Sequence, residues 1–191
     1  MMSKPLFRVV IAVFSLALQA TVLQAGEPVL LRTALLVKDA KASIRFYELL
    51  GFRIETEMDI PRKPEGNFFP LNAPSTRTRL VIMASDSGEG GRLGLVEFSG
   101  PIPADNRIEA SRTGVGDAVL VFDVTNAEAI HDRLLAAGVN IIEPPQVYLS
   151  KTTATDGSPM RGHVFHVKDP DDYLIELLEA PKPVAAEKPA R

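Results

Sequence analysis

Apolar and polar positions follow an order along this chain that occurs twice. Leu31-Arg-Thr-Ala-Leu-Leu-Val-Lys-Asp39 reads as a buried strand running into a polar turn. Ser43-Ile-Arg-Phe-Tyr-Glu-Leu-Leu-Gly-Phe52 reads as an amphipathic helix, because Ile44, Phe46, Tyr47 and Leu50 recur at helical spacing. Asp39 is placed to cap that helix and Gly51 to end it. The order returns at Ala118-Val-Leu-Val-Phe-Asp-Val124 and Asn126-Ala-Glu-Ala-Ile-His-Asp-Arg-Leu-Leu-Ala-Ala-Gly-Val139. Each half closes on a short apolar strand with one acid, Gly94-Leu-Val-Glu97-Phe and Tyr173-Leu-Ile-Glu176-Leu.

Between these landmarks the pattern predicts strands over 52–58, 80–84 and 93–98, then 139–147, 162–168 and 173–178. Residues 61–75 hold four prolines and read as a loop whose Phe68-Phe69 either covers a pocket or tucks into the core. A second loop is expected over 149–161, and residues 99–116 connect the halves. The fold class is therefore α+β: two βαβββ modules, roughly 29–99 and 117–179. Their strands are apolar on both sides. Pairing the sheets into a cupped mixed β-sheet with helices outside buries those faces and creates a cavity for a small molecule.

Composition narrows the possibilities. The chain has 191 residues, 46% hydrophobic, with 21 basic and 24 acidic side chains. That suits one compact domain and shows no basic stripe, so nucleic acid is not an expected partner. No cysteine is present, which excludes a disulfide framework, a thiolate metal site and a Cys nucleophile. Residues 1–25 differ from the rest: Lys4 and Arg8 precede an apolar run from Val9 to Ala20, and Ala25 ends a small-residue stretch. This is a secretory signal layout, with cleavage expected after Ala25 and a periplasmic or secreted product; an uncleaved membrane anchor is the alternative. Removing Lys4 and Arg8 takes the formal charge from −3 to −5. Residues 180–191, rich in Pro, Ala and Lys, are expected to be a disordered tail.

The repeat, with Arg32-Thr-Ala-Leu-Leu-Val-Lys-Asp39, Phe46-Tyr-Glu-Leu-Leu-Gly-Phe52 and Asp169-Pro-Asp-Asp-Tyr-Leu-Ile-Glu176-Leu, resembles the vicinal oxygen chelate superfamily of glyoxalases, bleomycin-resistance proteins and extradiol dioxygenases. The resemblance implies a small-molecule site between the sheets, in metal-using members with ligands from four strands. The matching positions here are Arg32, Glu97, Val119 and Glu176. Two have lost their donor: a guanidinium offers no lone pair, and Val119 has no ligand atom. No tightly held metal or other cofactor is therefore expected. Were a divalent ion bound, its set would be Glu97, Glu176 and His166.

Two readings of Arg32 stand side by side. It replaces the metal's charge and pairs with Glu97, Glu176 or both, or it grips the anionic group of a ligand. By strand parity His166 and Val164 share the face of Glu176; a slip of one residue would turn His163 inward instead. Glu176 and His166 are the candidates for proton transfer. Arg32, Glu97, Val119 and Val164 are the candidates for ligand contact, with Leu36, Val121 and Leu174 as further apolar walls. Tyr148, Lys151 and Met160 are candidate contacts at the mouth. His131 reads as part of a solvated helix face. Asp169-Pro-Asp-Asp172 reads as a hairpin turn rather than a calcium loop.

The functional expectation is an exported glyoxalase-like domain that binds a small molecule without a tightly bound metal. The alternatives are a divalent-metal-dependent lyase or isomerase of glyoxalase type, and a drug- or metabolite-sequestering protein whose pocket a homodimer completes. An extradiol dioxygenase fits less well, because the two-His, one-carboxylate iron triad is absent.

Overall fold

A computed structural model of the chain describes residues 29–62, 70–71, 73–87, 90–105 and 113–184. The signal-like segment, Phe68-Phe69 and the last residues of the tail lie outside them. Within them the element order is β1 (Arg32–Val37), α1 (Ala40–Leu49), β2 (Phe52–Pro61), β3 (Arg77–Ser85), β4 (Arg92–Ser99), β5 (Val119–Val124), α2 (Ala127–Ala136), β6 (Asn140–Ile141), β7 (Gln146–Thr153), β8 (Pro159–Lys168) and β9 (Leu174–Pro183). The first module forms a sheet of order β1-β4-β3-β2. The second forms β5-β9-β8-β6, with β7 also paired to β8. In each, the first strand runs parallel to the last and the other pairings are antiparallel. This is the doubled βαβββ architecture that the repeat predicts.

The helix ends follow the sequence signals. Asp39 Oδ1 accepts from the Lys41 and Ala42 N–H groups, and Asn126 Oδ1 accepts from Ala129 N–H. Gly51 (φ 86°) and Gly138 (φ 73°) take the left-handed conformation just past each helix. Three boundaries differ from expectation. The strand predicted over 139–147 is broken at Ile142–Pro145, where two consecutive prolines lack the N–H groups a ladder needs. The segment expected to be a loop over 149–161 is instead mostly strand: β7 runs to Thr153, β8 starts at Pro159, and only 154–158 turn. Finally, β9 continues past residue 179 into the expected tail, with Lys182 opposite Arg161 and Pro183 opposite Met160. Beyond Glu179 it has no β5 partner, so Pro181 and Pro183 sit where one side of the strand needs no donor.

The core lies on the helix-covered face of both sheets. Leu35, Val81, Met83, Leu93 and Leu95 of the first module pack in one cluster with Phe165, Val167, Ile175 and Leu177 of the second. Aromatic edges join the modules: the Phe122 ring centroid of β5 lies 6.5 Å from Tyr47 and 5.4 Å from Phe52. His131 is not on an open face as its neighbours suggested, but stands edge-on to Phe165 at 5.7 Å.

The turn between β8 and β9 docks on the first module through buried acids. Asp171 accepts from Lys38 N–H at 2.9 Å and from the Ser43 hydroxyl at 3.2 Å. Asp169 accepts from the Tyr47 hydroxyl at 2.9 Å, and from Asp171 and Tyr173 N–H within its own turn. Burial pushes the Tyr47 phenol far above its usual range, with the Asp169 carboxylate beside it adding to the effect. Burial also holds the Asp169 carboxyl above its usual range despite its hydrogen bonds. Asp171→Ala strands two donors that are shielded from water and should cost about 3 kcal/mol; Tyr47→Phe, which deprives Asp169 of one donor, should cost roughly 2 kcal/mol. Urea unfolding midpoints check both, and unchanged midpoints would mean the docking contributes nothing.

Candidate functional site

Strand alternation gives each sheet a second face, opposite the helices. In the first module it carries Arg32, Ala34 and Leu36 of β1 and Gly94 and Val96 of β4, with Leu80 and Ile82 of β3 opposite the latter two in register. In the second it carries Val119 and Val121 of β5, Leu174 and Glu176 of β9, and Val164, His166 and Lys168 of β8. Leu36, Val119 and Val121 are 42%, 41% and 55% exposed, so this apolar surface is open.

The second module gathers a polar row across its strands. Val121 is opposite Glu176, and Glu176 is opposite His166. His166 Nε2 lies 3.2 Å from Glu176 Oε2, and its Nδ1 lies 2.8 Å from Glu143 Oε1. The parity argument for His166 holds, and His163 points to the helix side, 3.4 Å from Glu179. Glu143 was missed because it sits in the Pro-Pro break, where no periodicity marks a face. Ile142 N–H bonds the His166 carbonyl at 2.9 Å and holds the break against β8.

Glu97 does not join this row. It lies on the helix side, where its Oε2 accepts from Ala40 N–H at 3.2 Å and stands 3.7 Å from Arg79. Its counterpart in the repeat is Glu179, whose Oε2 accepts from Ala127 N–H at 3.1 Å. Both carboxylates meet the first turn of their module's helix, where backbone N–H groups lack intrahelical partners. The register explains the shift: Ala34 pairs with Gly94 as Val121 pairs with Glu176, so the first-module counterpart of Glu176 is Gly94. Aligning Leu93-Gly-Leu-Val-Glu97 with Ile175-Glu-Leu-Leu-Glu179 would have revealed this in the sequence.

Arg32 lies across Gly94. A Cβ at residue 94 would sit 3.2 Å from Arg32 Cδ and 3.4 Å from Nε, so the missing side chain makes room for the guanidinium arm. The expected pairing with Glu97 or Glu176 is not formed. Glu97 is turned to α1, Glu176 is bonded to His166, and Arg32 has no ion pair or hydrogen bond among the described residues. Tyr148 is committed elsewhere too: its ring lies over Gly162 and its hydroxyl donates to the Glu179 carbonyl at 3.1 Å. Lys151 is exposed on β7, and Met160 sits opposite Pro183 at the far end of β8.

The donors do not fit a divalent ion. Of the four repeat-related positions, Arg32, Gly94, Val119 and Glu176, only Glu176 offers a donor oxygen. Glu97, counted in the alternative set, is on the opposite face. Glu143 and Glu176 meet opposite nitrogens of one imidazole, so the ring stands between the carboxylates and the three groups cannot converge on one ion. No cluster of three metal-ligating side chains occurs among the described residues.

A cleft among the described residues lies elsewhere. It has a volume of about 900 Å³ and sits where the modules meet, lined by Leu36, Phe98, Ile102, Lys168, Tyr173 and Leu174 among others. Of the predicted apolar walls it includes Leu36 and Leu174; Arg32, Glu97, Val119, Val164, His166 and Glu176 do not line it.

Glu179 gives the helix contacts a pH signature. The Lys182 ammonium at 2.6 Å, together with Ala127 N–H, holds its carboxyl below the ordinary value of 4.5. The unfolded chain therefore takes up this proton first as pH falls. The stability advantage of the native protein over Glu179→Gln should be full above about pH 4.5 and fade as pH drops through the lowered native value. Thermal unfolding of both proteins from pH 7 to 3 checks it; a constant gap would remove Glu179's charge from the account.

The family model described as Glyoxalase/Bleomycin resistance protein/Dioxygenase superfamily matches residues 29–177. A glyoxalase family protein from Bacillus cereus superposes with a TM-score of 0.62 at 16% identity, over 82% of this chain and 97% of its own. The trypanothione-dependent glyoxalase I of Leishmania major superposes at 0.50 with 20% identity, over 80% and 87%. A glyoxalase/bleomycin resistance protein/dioxygenase domain from Frankia sp. gives 0.52 at 18%, over 81% and 93%. At these identities the likeness speaks for the fold. No curated protein sequence matches the chain significantly.

Proposed function

The chain belongs to the glyoxalase, bleomycin resistance protein and dioxygenase superfamily, and from that premise we propose that it is an exported small-molecule-binding member that works without a tightly held metal. Its ligand carries an anionic group, a carboxylate or phosphate, for Arg32 and an apolar body for the open sheet faces. The observation that carries this reading is Arg32 itself. The guanidinium arm is laid over Gly94 on an apolar surface, and no acid among the described residues pairs with it. A planar fork of N–H donors on such a surface suits bidentate contact with a carboxylate or phosphate. Export rests on the basic start, apolar run and small-residue stretch of residues 1–25.

A second reading, a lyase or isomerase of glyoxalase type, draws support from the contact between Glu176 and His166. A carboxylate and an imidazole within 3.2 Å can hand a proton to or from a bound ligand, and Glu143 on the far nitrogen fixes the ring plane. A sequestering homodimer would instead bind tightly without turnover and cover the exposed apolar faces.

Elemental analysis of residues 26–191, purified from the native compartment without chelator, should find no stoichiometric nickel, zinc, manganese or iron. One divalent ion per chain would overturn the metal-free reading. Arg32→His should gain no divalent-ion affinity in titration calorimetry, because Gly94 and Val119 also lack donors. A gain would mean that the remaining acids converge more closely than their two faces allow.

A further inference from the structure

The junction cleft holds a cation that its surroundings leave under-coordinated. Lys168 is the last residue of β8, on the same face as His166 and next to Leu174 in register. Its side chain is only 14% exposed. Its one ion-pair partner, Asp172 Oδ1, is 3.8 Å away, beyond hydrogen-bond distance, and no hydrogen bond to its ammonium forms among the described residues. An ammonium group has three donors to satisfy, and leaving them unmet away from bulk water is costly.

The other acids lining the cleft are engaged. Asp171 accepts from Lys38 N–H and the Ser43 hydroxyl. Asp105 pairs with the Lys38 ammonium at 2.9 Å, and Asp117 accepts from Gly114 N–H. Leu36, Ile102 and Leu174 form an apolar part of the lining, together with the Phe98 ring, which Arg62 covers at 4.9 Å. The Tyr173 hydroxyl donates to the Leu36 carbonyl at 3.2 Å and pins one module's wall to the other's. Apolar walls, one poorly satisfied ammonium and about 900 Å³ of space describe a site for an amphipathic organic anion.

We infer that the cleft between the modules, a part of the open face that Arg32 does not line, is a second anion-binding site, for a small organic acid whose anionic group takes the Lys168 ammonium and whose apolar body lies against Leu36, Ile102 and Leu174. It shares apolar open-face residues with the site proposed above, but its charged anchor is a different one, since Arg32 does not line the cleft.

The probe is 1-anilinonaphthalene-8-sulfonate, followed by fluorescence, beside its uncharged parent N-phenyl-1-naphthylamine. The native protein should bind the sulfonate at one site per chain. Lys168→Met, with Lys168→Gln as the second variant should the first lose its thermal transition, should weaken that binding about tenfold or more while leaving the uncharged parent unaffected. Lys168→Arg should retain it. Equal sulfonate binding by the Lys168 variants, parallel loss of the uncharged probe, or no binding by the native protein would each overturn the inference.

Discussion

The contact on which the assembly depends is the docking of one acidic turn. Asp169 and Asp171 are 5% and 2% exposed, yet neither has a cationic partner among the described residues; what they have is a hydroxyl or N–H for each oxygen that needs one. Three of those donors, Lys38 N–H, Ser43 and Tyr47, come from the other module. Burying carboxylates is tolerable only with such bonds. Separating the modules would lose all three at once, and with them the aromatic edges around Phe122. That requirement fixes the end of β1 against the start of β9, and hence where the open sheet faces and the junction cleft lie.

A second constraint is strand parity, which sorts the acids of the two closing strands into different tasks. Glu97 and Glu179 lie on the helix side, where unpaired N–H groups of the first helical turn need acceptors. Glu176 lies on the open side, where it meets His166. The module repeat therefore holds for the helix contacts and fails on the open face. There Arg32 stands opposite Val119 in the repeat, and Gly94 opposite Glu176. The duplicated fold is kept by symmetric residues, while the open face has diverged between its halves.

This divergence decides the chemistry. A guanidinium and a glycine in one module, a valine and a glutamate in the other, offer one donor oxygen among four places. The His166 imidazole is occupied on both nitrogens by separate carboxylates. Arg32 brings a fixed positive charge to the open face, laid out over the residue whose missing Cβ admits it. The result is a largely apolar surface with the Arg32 arm in one module and an acid–imidazole row in the other.

Much of the fold was legible along the chain. Two cycles of strand, cap, helix and glycine named the modules, because each local signal answers a local need: a side-chain oxygen for orphan N–H groups at Asp39 and Asn126, a left-handed residue at Gly51 and Gly138. Period-two alternation also placed His166 and Glu176 on one face. What the sequence did not disclose depends on register and on contacts between distant segments. Glu97 and Glu176 look alike in one dimension, and strand pairing shows that three positions separate their roles. The turn at Asp169 read only as a hairpin, because its partners lie more than 120 residues away. Glu143 and Lys168 gain meaning from the side chains and space that folding brings beside them. Local propensity is written residue by residue; which polar groups share a buried environment is decided only when the modules close on each other.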